Sequence, residues 1–86
     1  MSLQRILENW SEYDNRKIRT GSEAHLFSCD EQWEVNYLKN KIKEAYPFLS
    51  EDHIVGAIEH CCIIVRGPRP RKQFTECVLE HLGVLD

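Results

Sequence analysis

No run of apolar residues in this chain approaches the length that crosses a bilayer. The N-terminus also lacks the charged-then-apolar pattern of a signal peptide, so the expectation is a cytoplasmic protein without a membrane partner. A basic surplus is missing too: Lys and Arg number 11 against 14 Asp and Glu, a net charge of −3. That balance argues against a general nucleic-acid coat and leaves any such contact to a local patch. There is no internal repeat, no low-complexity segment, no Gly-rich phosphate loop and no nucleophile-elbow pattern. Cysteine occurs at 29, 61, 62 and 77 but never as C-x-x-C. Two of the four are adjacent and the others sit in segments that read as helical, which predicts reduced, mostly buried thiols rather than a disulfide framework.

What is present is an ordinary globular balance, 42% apolar and 29% charged over 86 residues, enough for one domain with a single core. Its organising stretch is Ser50 to Val65, SEDHIVGAIEHCCIIV. At 100° per residue, Ile54, Val55, Ile58, Cys61, Cys62 and Val65 share one broad arc, which Ala57 and Ile64 widen. One neighbouring helix cannot cover so much, so this reads as a central helix with at least two partners. Ser50 is its cap, Glu51 and Asp52 suit the positive end of its dipole, and Leu49 can staple onto Ile54.

The remaining elements follow from period and punctuation. Leu3, Ile6, Leu7 and Trp10 recur at i, i+3, i+4 and i+7, predicting a helix over about 3–12. Residues 14–27 show no sustained period and read as a long loop that wraps the body or carries function. Ser28 and Glu31 have capping-box spacing, with Asp30 as an alternative cap, so a helix is expected over 29–45 with Val35, Leu38, Ile42 and Ala45 on one face. Pro47 forces Tyr46 out of helical geometry and ends it. The β-branched run from Cys61 to Val65 keeps helical periodicity, so the central helix spans about 51–64. Gly67-Pro68-Arg69-Pro70 breaks the chain, and a last helix over 70–82 carries Phe74, Cys77, Val78 and Leu82 before Gly83 stops it. The expected fold is all-α, four helices in one domain packed around the third.

Four features bear on function. His25 and Cys29, Cys77 and His81, and the run His60-Cys61-Cys62 offer i, i+4 imidazole and thiolate spacings of the kind a zinc site uses. Cys77 and His81 share their arc with Phe74 and Val78, however, so core packing explains them and no metal or cofactor is expected. A nucleophilic cysteine would need an exposed thiol beside an imidazole, whereas Cys61 and Cys62 lie on the apolar half of the central helix, where burial raises a thiol's pKa. Glu51 and Asp52 are accounted for by the helix dipole rather than as a paired-carboxylate site. The chain therefore reads as non-enzymatic.

The third feature is Trp33 with Tyr37, one turn apart and opposite Val35, Leu38 and Ile42. Exposed, the pair would be a contact surface for another protein; the competing reading has the first helix, whose Ile6, Leu7 and Trp10 need a partner, covering both rings. His53, Gly56 and His60 share one edge of the central helix, where the glycine would allow close helix approach and the histidines would make it sensitive to pH. The fourth is Arg66, Arg69, Arg71 and Lys72, four positive charges in seven residues just before a helix start. Free backbone N–H groups there favour an anion, against the alternative of a solvated loop balancing Glu76, Glu80 and the acids at 51 and 52. The leading expectation is a protein-interaction module that uses either the aromatic face or the 14–27 loop to bind a protein partner or its own copy. Trp33, Tyr37, His53 and His60 are its expected partner-binding residues. The alternative is a nucleic-acid or phosphate-binding module acting through the basic loop 66–72.

Overall fold

The computed structural model describes residues 6–8, 10–19, 21 and 26–84. Among them are four helices, α1 (Ser11–Arg19), α2 (Gln32–Ala45), α3 (Glu51–Ile64) and α4 (Arg71–Leu82), and no strand beyond an isolated antiparallel bridge between Leu26 and Pro70. The all-α class and the central place of the third helix are as expected: α3 packs against α2 on one side and α4 on the other. Ile54, Ala57, Ile58 and Cys61 form its buried face.

The boundaries of α3 and the ends of α2 and α4 follow local chemistry. Ser50 is extended and its Oγ accepts the His53 N–H at 3.2 Å, the expected N-cap. Tyr46 leaves helical space at φ −131°, one residue before Pro47. At the end of α4, Gly83 takes φ 76°; its N–H donates to Glu80 O and the Val84 N–H to Leu79 O, a Schellman ending that needs a residue tolerant of positive φ.

The first third of the chain departs from expectation. Ile6 is helical, but Leu7 and Glu8 form a turn and bend, and Trp10 is irregular; residues 3–5 and 9 of the expected first helix lie outside the described residues. The helix that packs here is α1, inside the stretch expected to be a loop. Its ends complement the macrodipole, with Glu12 and Asp14 in the first turn and Arg16, Lys17 and Arg19 in the last. Its inward face is Tyr13 and Lys17, while Ile18 is 66% exposed. A search for apolar periodicity misses a helix whose buried residue four after a tyrosine is a lysine.

Two smaller expectations also change. The Ser28–Glu31 capping box does not form: α2 starts at Gln32, Glu31 makes no side-chain cap, and the Ser28 N–H is taken at 2.9 Å by Glu34 Oε1 instead. Ile64, assigned to the edge of the apolar arc, is 57% exposed, whereas Cys61 in the same turn is fully buried.

Residues 26–28 tie the two halves together. Phe27 donates its N–H to Arg69 O at 2.7 Å and stacks on Phe74 of α4, ring centroids 4.6 Å apart. Leu26 and Ser28 on either side turn toward the α1–α2 junction.

Candidate functional site

The α1–α2 junction is a buried polar network inside an aromatic shell. Glu34 sits on the first turn of α2, where a carboxylate also suits the dipole. Lys17 Nζ lies 3.0 Å from both of its oxygens and donates to Leu26 O at 2.8 Å. The Tyr13 hydroxyl donates to Glu34 Oε1 at 2.5 Å. All three side chains are closed to solvent, and no buried side-chain N or O among the described residues lacks a partner. Desolvation, followed by the adjoining carboxylate, raises the Tyr13 hydroxyl far above the ordinary tyrosine range. Chemically this is a saturated clamp that holds α1 on α2, with its buried polar atoms already partnered.

Trp33 and Tyr37 form the walls of that clamp. Both are half-buried, and Tyr13 of α1 sits between them at ring-centroid distances of 5.2 and 5.4 Å. Trp10 packs on Tyr37 at 5.0 Å, and the Arg16 guanidinium covers Trp33 at 4.3 Å. Burial raises the Tyr37 hydroxyl as well, with Glu12 adding to the effect. The reading of this pair as a free contact surface is therefore corrected: α1 occupies that face. The first-helix stripe was sound in requiring cover for Trp10, which is 3% exposed and donates Nε1–H to Ile6 O at 2.6 Å.

The basic loop does not converge. Arg69 turns back on α3, Nε donating to Val65 O at 2.7 Å and a terminal nitrogen to Cys62 O at 3.1 Å, so it caps the C-terminal carbonyls of that helix. Arg71 pairs with Asp14 at 2.7 Å and lies over the Trp10 ring at 4.6 Å. Arg66 reaches Ile63 O at 3.4 Å, and Lys72 is exposed. The expected concave anion site at Arg66, Arg69, Arg71 and Lys72 is replaced by two separate structural ties, because each of the two best-held guanidiniums has an oxygen of its own chain within reach.

The cysteines also differ from expectation. Cys29, which sits in a turn rather than a helix, is disulfide-bonded to Cys62, so half of the thiols expected to be reduced are not. Cys61 and Cys77 remain free, with Sγ atoms 2.9 Å apart across the α3–α4 seam. Desolvation, reinforced by the Cys77 thiol beside it, pushes the Cys61 thiol up to about 12. Among the described residues no three His, Cys, Asp or Glu side chains are grouped to hold a metal ion; His25 lies outside those residues. Glu51 pairs with Lys39 at 3.0 Å, and that lysine lowers its carboxyl below the usual range.

Among the described residues four large hydrophobics are exposed: Ile18 on α1, Phe48 between α2 and α3, and Ile63 with Ile64 at the end of α3. Only the last two are adjacent, and they end an open strip of α3. His53, Gly56, His60 and Ile63 fall at i, i+3, i+7 and i+10 and all are exposed, with Ile64 beside them. The His60 ring stacks on His81 of α4 at 4.4 Å, which fixes one edge of the strip. Ile63 is 65% exposed, an unusual place for so large an aliphatic next to another. The signal for it lay in the helical wheel, where Ile63 falls outside the apolar arc, while Ile64 was placed inside. Outside its own helix turn, Gly56 has no atom of the described residues within 4 Å of where a Cβ would stand, so none of their packing requires a glycine there. Compared with protein-family models, with curated proteins and with solved structures, the chain matches none.

Proposed function

We propose that this is a non-enzymatic protein-interaction module whose contact surface is the exposed strip of α3 and whose partner is a second copy of the chain. The observation that carries the reading is Gly56. A glycine inside a helix costs about 1 kcal/mol relative to alanine, and here neither a positive φ nor a neighbouring atom of the described residues calls for it. A helix from outside crossing closely at that point would.

An antiparallel crossing about the middle of α3 suits the strip. It sets Gly56 of one copy against His60 of the other and His53 against Ile63, and it brings the acidic first turn, Glu51 and Asp52, toward Arg66 beyond the opposite end. Two pairs of exposed isoleucines would leave water. His53 and His60 thus keep the partner-binding role expected of them, whereas Trp33 and Tyr37 do not. The alternative of anion binding draws no support from Arg69 and Arg71, which already hold oxygens of their own chain.

The test is sedimentation equilibrium over a wide concentration range. Wild type is expected to show a monomer–dimer equilibrium, and Gly56→Leu and Ile63→Glu, both at exposed positions, to remain folded and monomeric. A wild type that is monomeric at every concentration, or variants that associate as wild type does, would overturn the proposal.

A further inference from the structure

We infer that Cys61 and Cys77 form a redox-active dithiol, a modification site at which a second disulfide is made by exchange with an external disulfide. The two sulfurs stand 2.9 Å apart, one on α3 and one on α4, with no side chain between them. Their surroundings differ in a way that assigns the order of events. Cys61 is 0% exposed and lies on the inner face of α3. Cys77 is half-buried and lines an open surface groove of about 420 Å³ together with Ile64, Gln73, Glu76, Glu80 and His81. An incoming disulfide therefore reaches Cys77 and not Cys61.

The chemistry balances without any further reagent. The Cys77 thiolate attacks one sulfur of a disulfide RS–SR; the S–S bond breaks, RS⁻ leaves, and Cys77 carries a mixed disulfide. Cys61, giving up its proton to the departing thiolate or to water, then attacks the Cys77 sulfur and expels the second RS⁻. The protein loses two electrons and two protons, and RS–SR is reduced to two thiols. Burial keeps Cys61 protonated until Cys77 is modified, so the buried thiol resolves and the groove thiol attacks.

The neighbourhood makes this more than a local change. Cys62, the next residue, is already bonded to Cys29. Oxidation would give consecutive residues of α3 two disulfides, one to the turn that precedes α2 and one to α4, so that the last turn of the central helix is stapled to both sides of the domain. The inference rests on the thiol pair and on the groove that opens Cys77, and takes nothing from the reading of α3 as a docking surface.

The probe is oxidised glutathione. Wild type carrying the Cys29–Cys62 bond is incubated with excess oxidised glutathione, quenched in acid, alkylated under denaturing conditions and mapped by peptide mass. The expected result is a Cys61–Cys77-linked peptide pair, the Cys29–Cys62 link retained and no alkylation at 61 or 77. Cys61→Ala is expected to stop at a stable glutathione adduct on Cys77, and Cys77→Ser to take up no glutathione at Cys61 while folded. Both thiols still alkylated in wild type, a permanent adduct on Cys77 of wild type, or a scrambled pairing with Cys29 or Cys62 would each overturn it. Wild-type mapping decides the matter even if a substitution at the buried Cys61 prevents folding.

Discussion

The Lys17 ammonium lies 3.0 Å from both carboxylate oxygens of Glu34, with both side chains all but closed to water. The pair joins α1 to α2, and the same carboxylate accepts from Tyr13 and from the Ser28 backbone, so one anion gathers three donors, two from α1 and one from the segment before α2. Desolvating two charges is expensive, and the arrangement is stable because every donor and acceptor is used.

Removing one partner leaves the other charge buried without its counter-ion. Lys17→Met and Glu34→Gln are each expected to lower stability by about 3–5 kcal/mol. The double variant should lose less than the sum of the two, since it leaves no unpaired charge. Urea denaturation of the four proteins measures the coupling directly; additive losses would show that the pair does not act as a unit.

Stability should fall in alkali. Cys61, while reduced, and Tyr13 both hold their protons more tightly folded than unfolded: the thiol moves from 9.0 up to about 12, and the phenol rises from 10.0. Their contribution is complete below about pH 9 and drains as pH rises, through 9 to 12 for Cys61 and from 10 upward for Tyr13, because the unfolded chain releases protons that the folded one keeps. Urea midpoints at about pH 8, 9.5 and 11 should decline in that order, and Tyr13→Phe, although less stable at neutrality, should decline less steeply above pH 10.

The Cys29–Cys62 bond spans 33 residues of sequence. Closing a loop of that length restricts the unfolded chain by about 3–4 kcal/mol. Reduction, or replacement of both residues by alanine, should lower Tm by at least about 10 °C in a domain of this size. An unchanged calorimetric Tm after complete reduction would place the linkage outside the cooperative unit.

Arg69→Ala is expected to cost about 1–3 kcal/mol, as it frees the Cys62 and Val65 carbonyls at the end of α3. Arg69→Lys should restore little, because one ammonium cannot reproduce the fork that reaches both oxygens. If the residue instead served an anion, its loss would leave the thermal unfolding curve unmoved.

Gly56→Ala should stabilise the monomer by about 0.5–1 kcal/mol, since the position is helical, exposed and open. Thermal melts at the lowest usable concentration, where self-association is absent, isolate that gain; a destabilised monomer would mean that α3 is not helical there.

Short-range chemistry can be read directly from the residues. The start of α3 was legible because the Ser50 hydroxyl bonds a backbone N–H three residues along. The end of α2 was legible because Pro47 acts on the residue beside it, and the end of α4 because Gly83 takes a φ that other residues avoid. The central role of α3 and its buried face, Ile54, Ala57, Ile58 and Cys61, followed from apolar period alone. Of the candidate site, His53 and His60 could be read as sharing one edge of the helix, since both lie off that face; that the edge is exposed is seen only in the fold.

The tertiary structure decided everything that depends on a partner distant in sequence. Nothing local marks Lys17 as buried and Ile18 as exposed: Lys17 goes in because Glu34, 17 residues on, and Leu26 O await it, and a hydrophobic pattern ranks the two residues the other way. Arg69 and Arg71 read as a free basic cluster until their acceptors, Val65 O and Asp14, stand beside them. Cys29 found Cys62 across 33 residues, a pairing that spacing cannot fix. The openness of Gly56 and Ile63 is likewise a property of which helices α3 already touches, and those contacts exist only once the chain has folded.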